Sequence, residues 1–184
     1  MHELEVLSTW VINLDRAPER LARIRAQLTG LGLPFTRLPA VDAQRLLPAQ
    51  RAQLDDITYQ RRHGMTPVLG ELGCYLSHVA VMRAFLASPA AFALVLEDDV
   101  ILRPSLPAVL QGLVAKADRW DMVKLSAVHS GTPVAVAEVA PGHALAVMLS
   151  RCTGASAYLV NRRAAQESLT FARQRSKELA PTSA

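Results

Sequence analysis

The chain is expected to fold as an α/β domain with a mostly parallel central sheet flanked by helices. Three observations point there. Residues 6–14 read as a strand that ends in the polar Asn13 and Asp15 and runs directly into a helical pattern, which makes a strand–loop–helix unit. Phe92, Ala93, Leu94, Val95 and Leu96 form a continuous apolar run without alternation, as a central strand covered on both faces requires. Aromatic residues supply only 5% of a sequence that is 51% hydrophobic, so the interior must be built from Leu, Val and Ala.

The first strand places Trp10, Val11, Ile12 and Leu14 at apolar positions. Pro18 suits the opening turn of the helix that follows, because its missing N–H is not needed there. Leu21, Ile24, Leu28 and Leu31 then recur at helical spacing until Gly30 and Gly32 stop the pattern. A second strand is expected over residues 34–38, leading to Val41, Asp42 and Ala43, where an acid again stands just beyond a strand. Residues 44–66 are polar and irregular, and the arginines of Gln60-Arg61-Arg62-His63-Gly64 read as the solvated surface of a loop. Gly70 to His78 opens a helix in which Val79, Met82 and Leu86 share a face, ending near Ser88 and Pro89. After the central strand come a helix over 106–116 and strands over 122–125, 143–149 and 155–160. Asn161 can cap a final helix running through Ala165, Leu169 and Ala172. Residues 1–175 therefore make one domain, and residues 176–184, which have no apolar pattern, a frayed tail.

A chain of 184 residues is long enough for one domain with a real core. The formal charge of +4 and the pI of about 9.5 favour an anionic ligand or an acidic surface. No stripe of basic residues interleaved with aromatics, no zinc-finger spacing and no RNA-binding aromatic motif is present, so nucleic acid is not the expected partner. The two cysteines, Cys74 and Cys152, do not make a disulfide framework and fit a reduced compartment. Met1-His2-Glu3-Leu4-Glu5 carries acids where a secretory signal carries Lys or Arg, and Glu138, Pro141 and His143 interrupt the most apolar region. A soluble or peripheral protein is expected.

Glu97, Asp98 and Asp99 follow the central strand directly. In open α/β sheets, ligands gather beyond the carboxyl ends of the strands, where loops diverge and helix N-termini present unpaired N–H groups. Adjacent carboxylates repel one another and resist desolvation, so they need a compensating cation, whether Arg, Lys or a metal. Oxygen ligands suit Mg²⁺ or Mn²⁺, which complete their octahedron with water and phosphate oxygens. Strand alternation would put Glu97 and Asp99 on one face and Asp98 on the other. Asp99 is then the principal metal ligand, Glu97 supports it, and Asp98 contacts sugar or metal-bound water. The plainer alternative is that the acids end a strand and cap a turn. A phosphatase of the haloacid dehalogenase class also places acids here, but it requires Asp where this chain has Glu97.

Four blocks carry a resemblance by their order and spacing. They are Val11-Ile12-Asn13-Leu14-Asp15-Arg16 with Arg20; Gly70-Glu71-Leu72-Gly73-Cys74 with Ser77-His78; Leu94-Val95-Leu96-Glu97-Asp98-Asp99-Val100; and Gly154-Ala155-Ser156-Ala157-Tyr158-Leu159-Val160. Together they resemble glycosyltransferase family 25, the lipopolysaccharide-type galactosyltransferases that include the collagen galactosyltransferases. The resemblance implies a GT-A-type nucleotide-diphospho-sugar fold. It further implies inverting transfer of a hexose, galactose in particular, from a uridine diphosphate donor to a glycan or glycolipid acceptor, with Mn²⁺ or Mg²⁺ as cofactor. The implied setting is bacterial and cytoplasmic, at the inner membrane face. Donor-binding roles fall on Asn13, Leu14, Arg16, Arg20, Asp42, Gly70, Ser77, Glu97 and Lys124, with the two arginines near the diphosphate and Asp42 near the nucleoside. Catalytic roles fall on Asp98, Glu71 and His78, and metal roles on Asp99 and Glu97.

Each of these has a plainer rival. Arg16 and Arg20 lie one helical turn apart and can pair with Glu19 or face solvent. Gly70 and Gly73 permit close backbone approach. His78 at a helix start can be a hydrogen-bonded structural group, Cys74 reads as core, and Lys124 can snorkel to the surface. Relatives in this family continue past the final helix into a segment with further acidic and acceptor-binding residues, which the end of this chain does not match. The acceptor half is therefore expected to be missing, and a truncated relative that binds nucleotide sugar without transferring it is the alternative.

Overall fold

The structure, a computed structural model, describes residues 6–46, 68–129 and 131–178, with side chains described as far as residue 172. Most of the expected 44–66 loop, including Arg61 and Arg62, lies outside the described residues, as do residues 179–184.

Strand β1 (Leu7–Asn13) and helix α1 (Pro18–Gly30) form the expected opening unit, with Pro18 in the first helical turn. Gly32, at a φ of +66°, makes the left-handed turn out of α1 that other residues rarely adopt. β1 pairs in parallel with β2 (Thr36–Pro39) on one side and with β3 (Phe92–Glu97) on the other. β7 (Ala157–Asn161) runs antiparallel to β3, and β4 (Met122–Lys124) antiparallel to β7, which gives the order β2-β1-β3-β7-β4. The sheet is thus mixed and mostly parallel, with β7 alone reversed within it.

Alternation along β3 explains why its sequence shows none. Leu94 and Leu96, with Val11 and Leu159, pack against Ile24 and Leu28 of α1 and Leu110 and Leu113 of α3 (Leu106–Val114). Ala93 and Val95, with Ile12 and Val160, meet Val81, Met82 and Phe85 of α2 (Leu69–Ala87) and Ala165 and Leu169 of α4 (Arg162–Glu178). Both faces are apolar because helices cover both, and each fully buried Leu or Val contributes about 1.5–3 kcal/mol. The core face of α2 centres on Val81, Met82 and Phe85, and the expected Val79 and Leu86 lie at its margins. The Asn161 cap is present, with Oδ1 accepting the Ala164 N–H at 2.9 Å, and α4 runs to Glu178, past the Ser176 start of the expected tail. α3 ends at Val114, before the expected 116, and a 3₁₀ turn over Ala117–Arg119 follows.

One element was not foreseen. β5 (Pro133–Ala140) pairs antiparallel with β6 (His143–Met148) in a separate ribbon, turning at Pro141 and at Gly142 with a φ of +74°. The ribbon lies on α3, where a Cβ at Gly112 would stand 1.7 Å from the Val139 carbonyl oxygen, so helix and strand touch backbone to backbone. Among the described residues, no helix is long and apolar enough to cross a membrane.

Candidate functional site

At the carboxyl edge of the sheet Asn13 faces Pro39, Ile12 faces Glu97, Leu96 faces Ala157 and Lys124 faces Tyr158. Asn13 is 2% exposed, and its amide is fully engaged. Its Nδ2 donates to Asp98 Oδ2 at 2.6 Å and to the Ala17 carbonyl at 2.9 Å, while its Oδ1 accepts from Arg37 Nε at 3.0 Å. Arg37 on β2 also donates to the Asn13 carbonyl and pairs with Asp15. The Leu14 carbonyl accepts the Ala17 N–H at 3.0 Å and so turns the chain into α1.

Two arginines, Arg16 in the turn before α1 and Arg20 in the helix's first turn, reach across this loop rather than along the helix. Arg20 stands 3.3 Å from Asp98 and 3.7 Å from Asp99, and Arg16 pairs with Asp42. The Arg16 hydrogen bond holds the Asp42 carboxyl below its ordinary value, and the Gln44 N–H and the Arg16 and Arg45 charges add to this against desolvation. Asp42 also accepts the Gln44 N–H, which opens a 3₁₀ turn over Ala43–Arg45. Both guanidinium groups are about half exposed, so an incoming anion can meet them without displacing core.

The expected alternation of the three acids fails at this edge. β3 ends at Glu97, and Asp98 and Asp99 lie in the turn beyond it, so both face Arg20, whereas Glu97 faces α2. Asp98 is 10% exposed with Asn13 and Arg20 on its oxygens, and Asp99 is 56% exposed. Asp99 therefore offers the kind of oxygen donor a hard cation takes, and Glu97 does not share a face with it.

The other side of the edge belongs to α2. Glu97 Oε1 lies 3.3 Å from His78 Nε2 and accepts from Cys74 Sγ at 3.4 Å. His78 Nδ1 lies 2.9 Å from Tyr158 Oη. The hydrogen bond from His78 lowers the pKa of Glu97 below its ordinary value, with Cys74, the His78 charge and Ser156 assisting against partial burial. Burial, and then the neighbouring Glu97, push the Cys74 thiol up to about 12, which makes it a poor nucleophile. Burial also raises Tyr158. Cys74 is exposed toward a cavity of about 630 Å³, not core as expected. α2, α4, β4 and β7 bound this cavity, His78, Tyr158 and Lys124 reach it, and Met82 and Leu169 make much of its wall apolar.

The remaining expected residues divide between contact and support. Ser77 is 1% exposed, and its Oγ donates to the Gly73 carbonyl at 2.6 Å and accepts the Val41 N–H at 2.8 Å. It cannot touch a donor and instead ties α2 to the segment bearing Asp42. A Cβ at Gly73 would stand 2.6 Å from the Val41 carbonyl, whereas one at Gly70 would meet nothing within 4 Å. Close approach is thus required at Gly73, and Gly70 is simply part of the cavity wall. The Glu71 carboxylate accepts the Val68 N–H at 3.2 Å and caps α2 while bordering the cavity. Lys124 Nζ donates to the Cys152 carbonyl at 2.9 Å from the cavity rim. Arg37 and Tyr158 were not singled out beforehand, and Cys74 was read as core rather than as part of the site. The helical spacing of Cys74 and His78 was the signal for the last of them.

The molecule is a mixed α/β domain whose cationic and acidic groups converge on one edge of the sheet, with an apolar-walled cavity alongside. The model of glycosyltransferase family 25, described as an LPS biosynthesis protein family, matches residues 6–179, and the chain belongs to that family. A "Glycosyltransferase 25 family member" of Aedes aegypti is 30% identical over 131 residues, which cover 66% of this chain and 21% of that protein. The Drosophila pseudoobscura pseudoobscura protein of the same name is 32% identical over 52% of this chain and 16% of its own length. A human protein named "Inactive glycosyltransferase 25 family member 3" is 32% identical over 63% of this chain and 21% of its own length. The chain thus matches only 16–21% of the length of these relatives. All are animal proteins, so they lend no support to the bacterial setting expected above.

Proposed function

We propose that this domain transfers a hexose, galactose first among the candidates, from a uridine diphosphate donor to a hydroxyl of a glycan acceptor, with inversion. The observation that carries this reading is the division at the end of β3, which sends Asp98 and Asp99 to the arginines and Glu97 to His78 beside the cavity. The order of its strands is compatible with a GT-A-like fold.

In this reading, Arg16 and Arg20 bind the diphosphate as exposed guanidinium groups, and Asn13 and Arg37 fix the loop that presents them. Mn²⁺ or Mg²⁺ would be held by Asp99 with Asp98 beside it, and when bound it supplies Lewis-acid stabilisation of the departing diphosphate. The acceptor enters by the cavity. In the tautomer whose Nδ1–H donates to Tyr158, Nε2 gives up its hydrogen bond to Glu97 and takes the acceptor proton as the new C–O bond forms and the sugar–diphosphate bond breaks. Glu97 then stabilises the imidazolium, as carboxylates do in other base-bearing sites. Asp98 and Glu71 are too committed to Asn13 and Arg20 and to the helix cap to serve as that base.

The test is release of uridine diphosphate from its galactose and glucose conjugates with Mn²⁺, with and without chelator. Metal-dependent release that falls at least a hundredfold in Asp99→Ala is expected. Release indifferent to both metal and variant would refute the proposal. A second reading, a nucleotide-sugar-binding domain without transfer, is favoured by the human relative named inactive. Donor binding without release or transfer to any acceptor would select it.

A further inference from the structure

Cys74, His78 and Glu97 place a sulfur, a ring nitrogen and a carboxylate oxygen within 4.8 Å of one another. Cys74 and His78 stand one helical turn apart on the same side of α2, and Glu97 comes from the last position of β3. Zn²⁺ binds N and O ligands at about 2.0–2.2 Å and S at about 2.3 Å in a tetrahedron, so its N···O and S···O edges are about 3.3–3.6 Å. The observed separations are 3.3 Å for His78 Nε2 to Glu97 Oε1 and 3.4 Å for Cys74 Sγ to the same oxygen. Tyr158 Oη, 2.9 Å from His78 Nδ1, is the outer partner that fixes the ring and leaves Nε2 to the metal. Cys74 and His78 border the cavity, which leaves the fourth corner of the tetrahedron open to water or ligand.

We infer that Cys74, His78 and Glu97 form a site for Zn²⁺ or a similar thiophilic cation, separate from the oxygen donors at Asp99. The sulfur and imidazole ligands select against Mg²⁺ and Mn²⁺. Binding displaces the thiol proton to solvent and joins thiolate, imidazole and carboxylate to one ion. Occupancy takes Nε2 of His78 out of proton transfer, so Zn²⁺ acts as an inhibitor that does not compete with the nucleotide. That inhibitory consequence alone rests on His78 being the base; the site itself does not.

The test uses the whole chain titrated with Co²⁺ and then Zn²⁺. One equivalent of Co²⁺ is expected to give a thiolate-to-cobalt charge-transfer band, which Zn²⁺ displaces and a large excess of Mg²⁺ does not. The band should vanish in Cys74→Ser, weaken at least tenfold in affinity in His78→Gln, and persist in Cys152→Ser and Asp99→Asn. Wild-type protein supplies a readout free of folding effects: Zn²⁺ should slow maleimide labelling of Cys74 at least tenfold while leaving Cys152 unchanged. A missing band, a band that survives Cys74→Ser, or labelling of Cys74 indifferent to Zn²⁺ would show a hydrogen-bonded triad only and overturn the proposal. Metal-dependent nucleotide binding at Asp99 is scored separately, so failure of either reading leaves the other standing.

Discussion

Glu97 and Asp98 are consecutive residues, yet their surroundings differ in kind. Asp98 is enclosed by the Asn13 amide and the half-exposed Arg20, on the side where Arg16 meets Asp42. Glu97 is answered by His78 and Cys74, groups of smaller and adjustable charge, beside an apolar-walled cavity. Permanent cations on long, solvated side chains suit an anionic ligand that arrives and leaves. A histidine between a carboxylate and a buried tyrosine suits the handling of a proton. In the proposed reading, the end of one strand thus sorts binding from chemistry, because the chain turns immediately after Glu97.

Three changes probe that contrast, in decreasing order of effect. His78→Gln should lower kcat for sugar transfer by about 10²–10⁴ while leaving KM for the donor within about threefold. A matching rise in donor KM would merge the two sides. Gly73→Ala, which forces a Cβ against the Val41 carbonyl, should cost about 1–3 kcal/mol of stability in urea unfolding. It should also weaken donor binding through Asp42, whereas Gly70→Ala should do neither. The smallest effect is a pH dependence. The lowered pKa of Glu97 means that its stabilising contribution is fully present above the ordinary glutamate value of 4.5 and is lost as pH falls through the folded value. The stability gap between wild type and Glu97→Gln should therefore shrink on acidification below pH 4.5, and a constant gap would deny the His78–Glu97 interaction this role.

The sheet was legible because its strands obey simple rules. β1 ends at a polar residue and meets a proline-started helix, and β3 is apolar throughout because helices cover both its faces. β5 was not legible for a physical reason. Its register shifts twice, between Ala135 and Ala137 and between Glu138 and Ala140, so the period of two that marks a strand is broken. Exposed Val134 and Val136 also lie in a ribbon outside the main sheet. At the site, Asp42 and Asp98 were singled out from their placement after strands, Arg16 and Arg20 from the resemblance, and the structure pairs Arg16 with Asp42 and Arg20 with Asp98. The facing of the acids was misjudged because strand alternation was extended past the strand's end. Ser77 was misjudged because its hydroxyl looks equally available in sequence whether it meets a ligand or a neighbouring backbone. Tyr158 escaped notice since only the β3–β7 and β4–β7 pairings bring it under His78.

Calorimetric titration of uridine diphosphate with Mn²⁺ into wild type, Arg20→Ala and His78→Gln addresses the division at β3 most directly. The account predicts binding that weakens at least tenfold in Arg20→Ala and stays within about threefold of wild type in His78→Gln, in keeping with the strength of charge-assisted hydrogen bonds. Equal losses in the two variants, or wild-type binding that ignores Arg20, would contradict it.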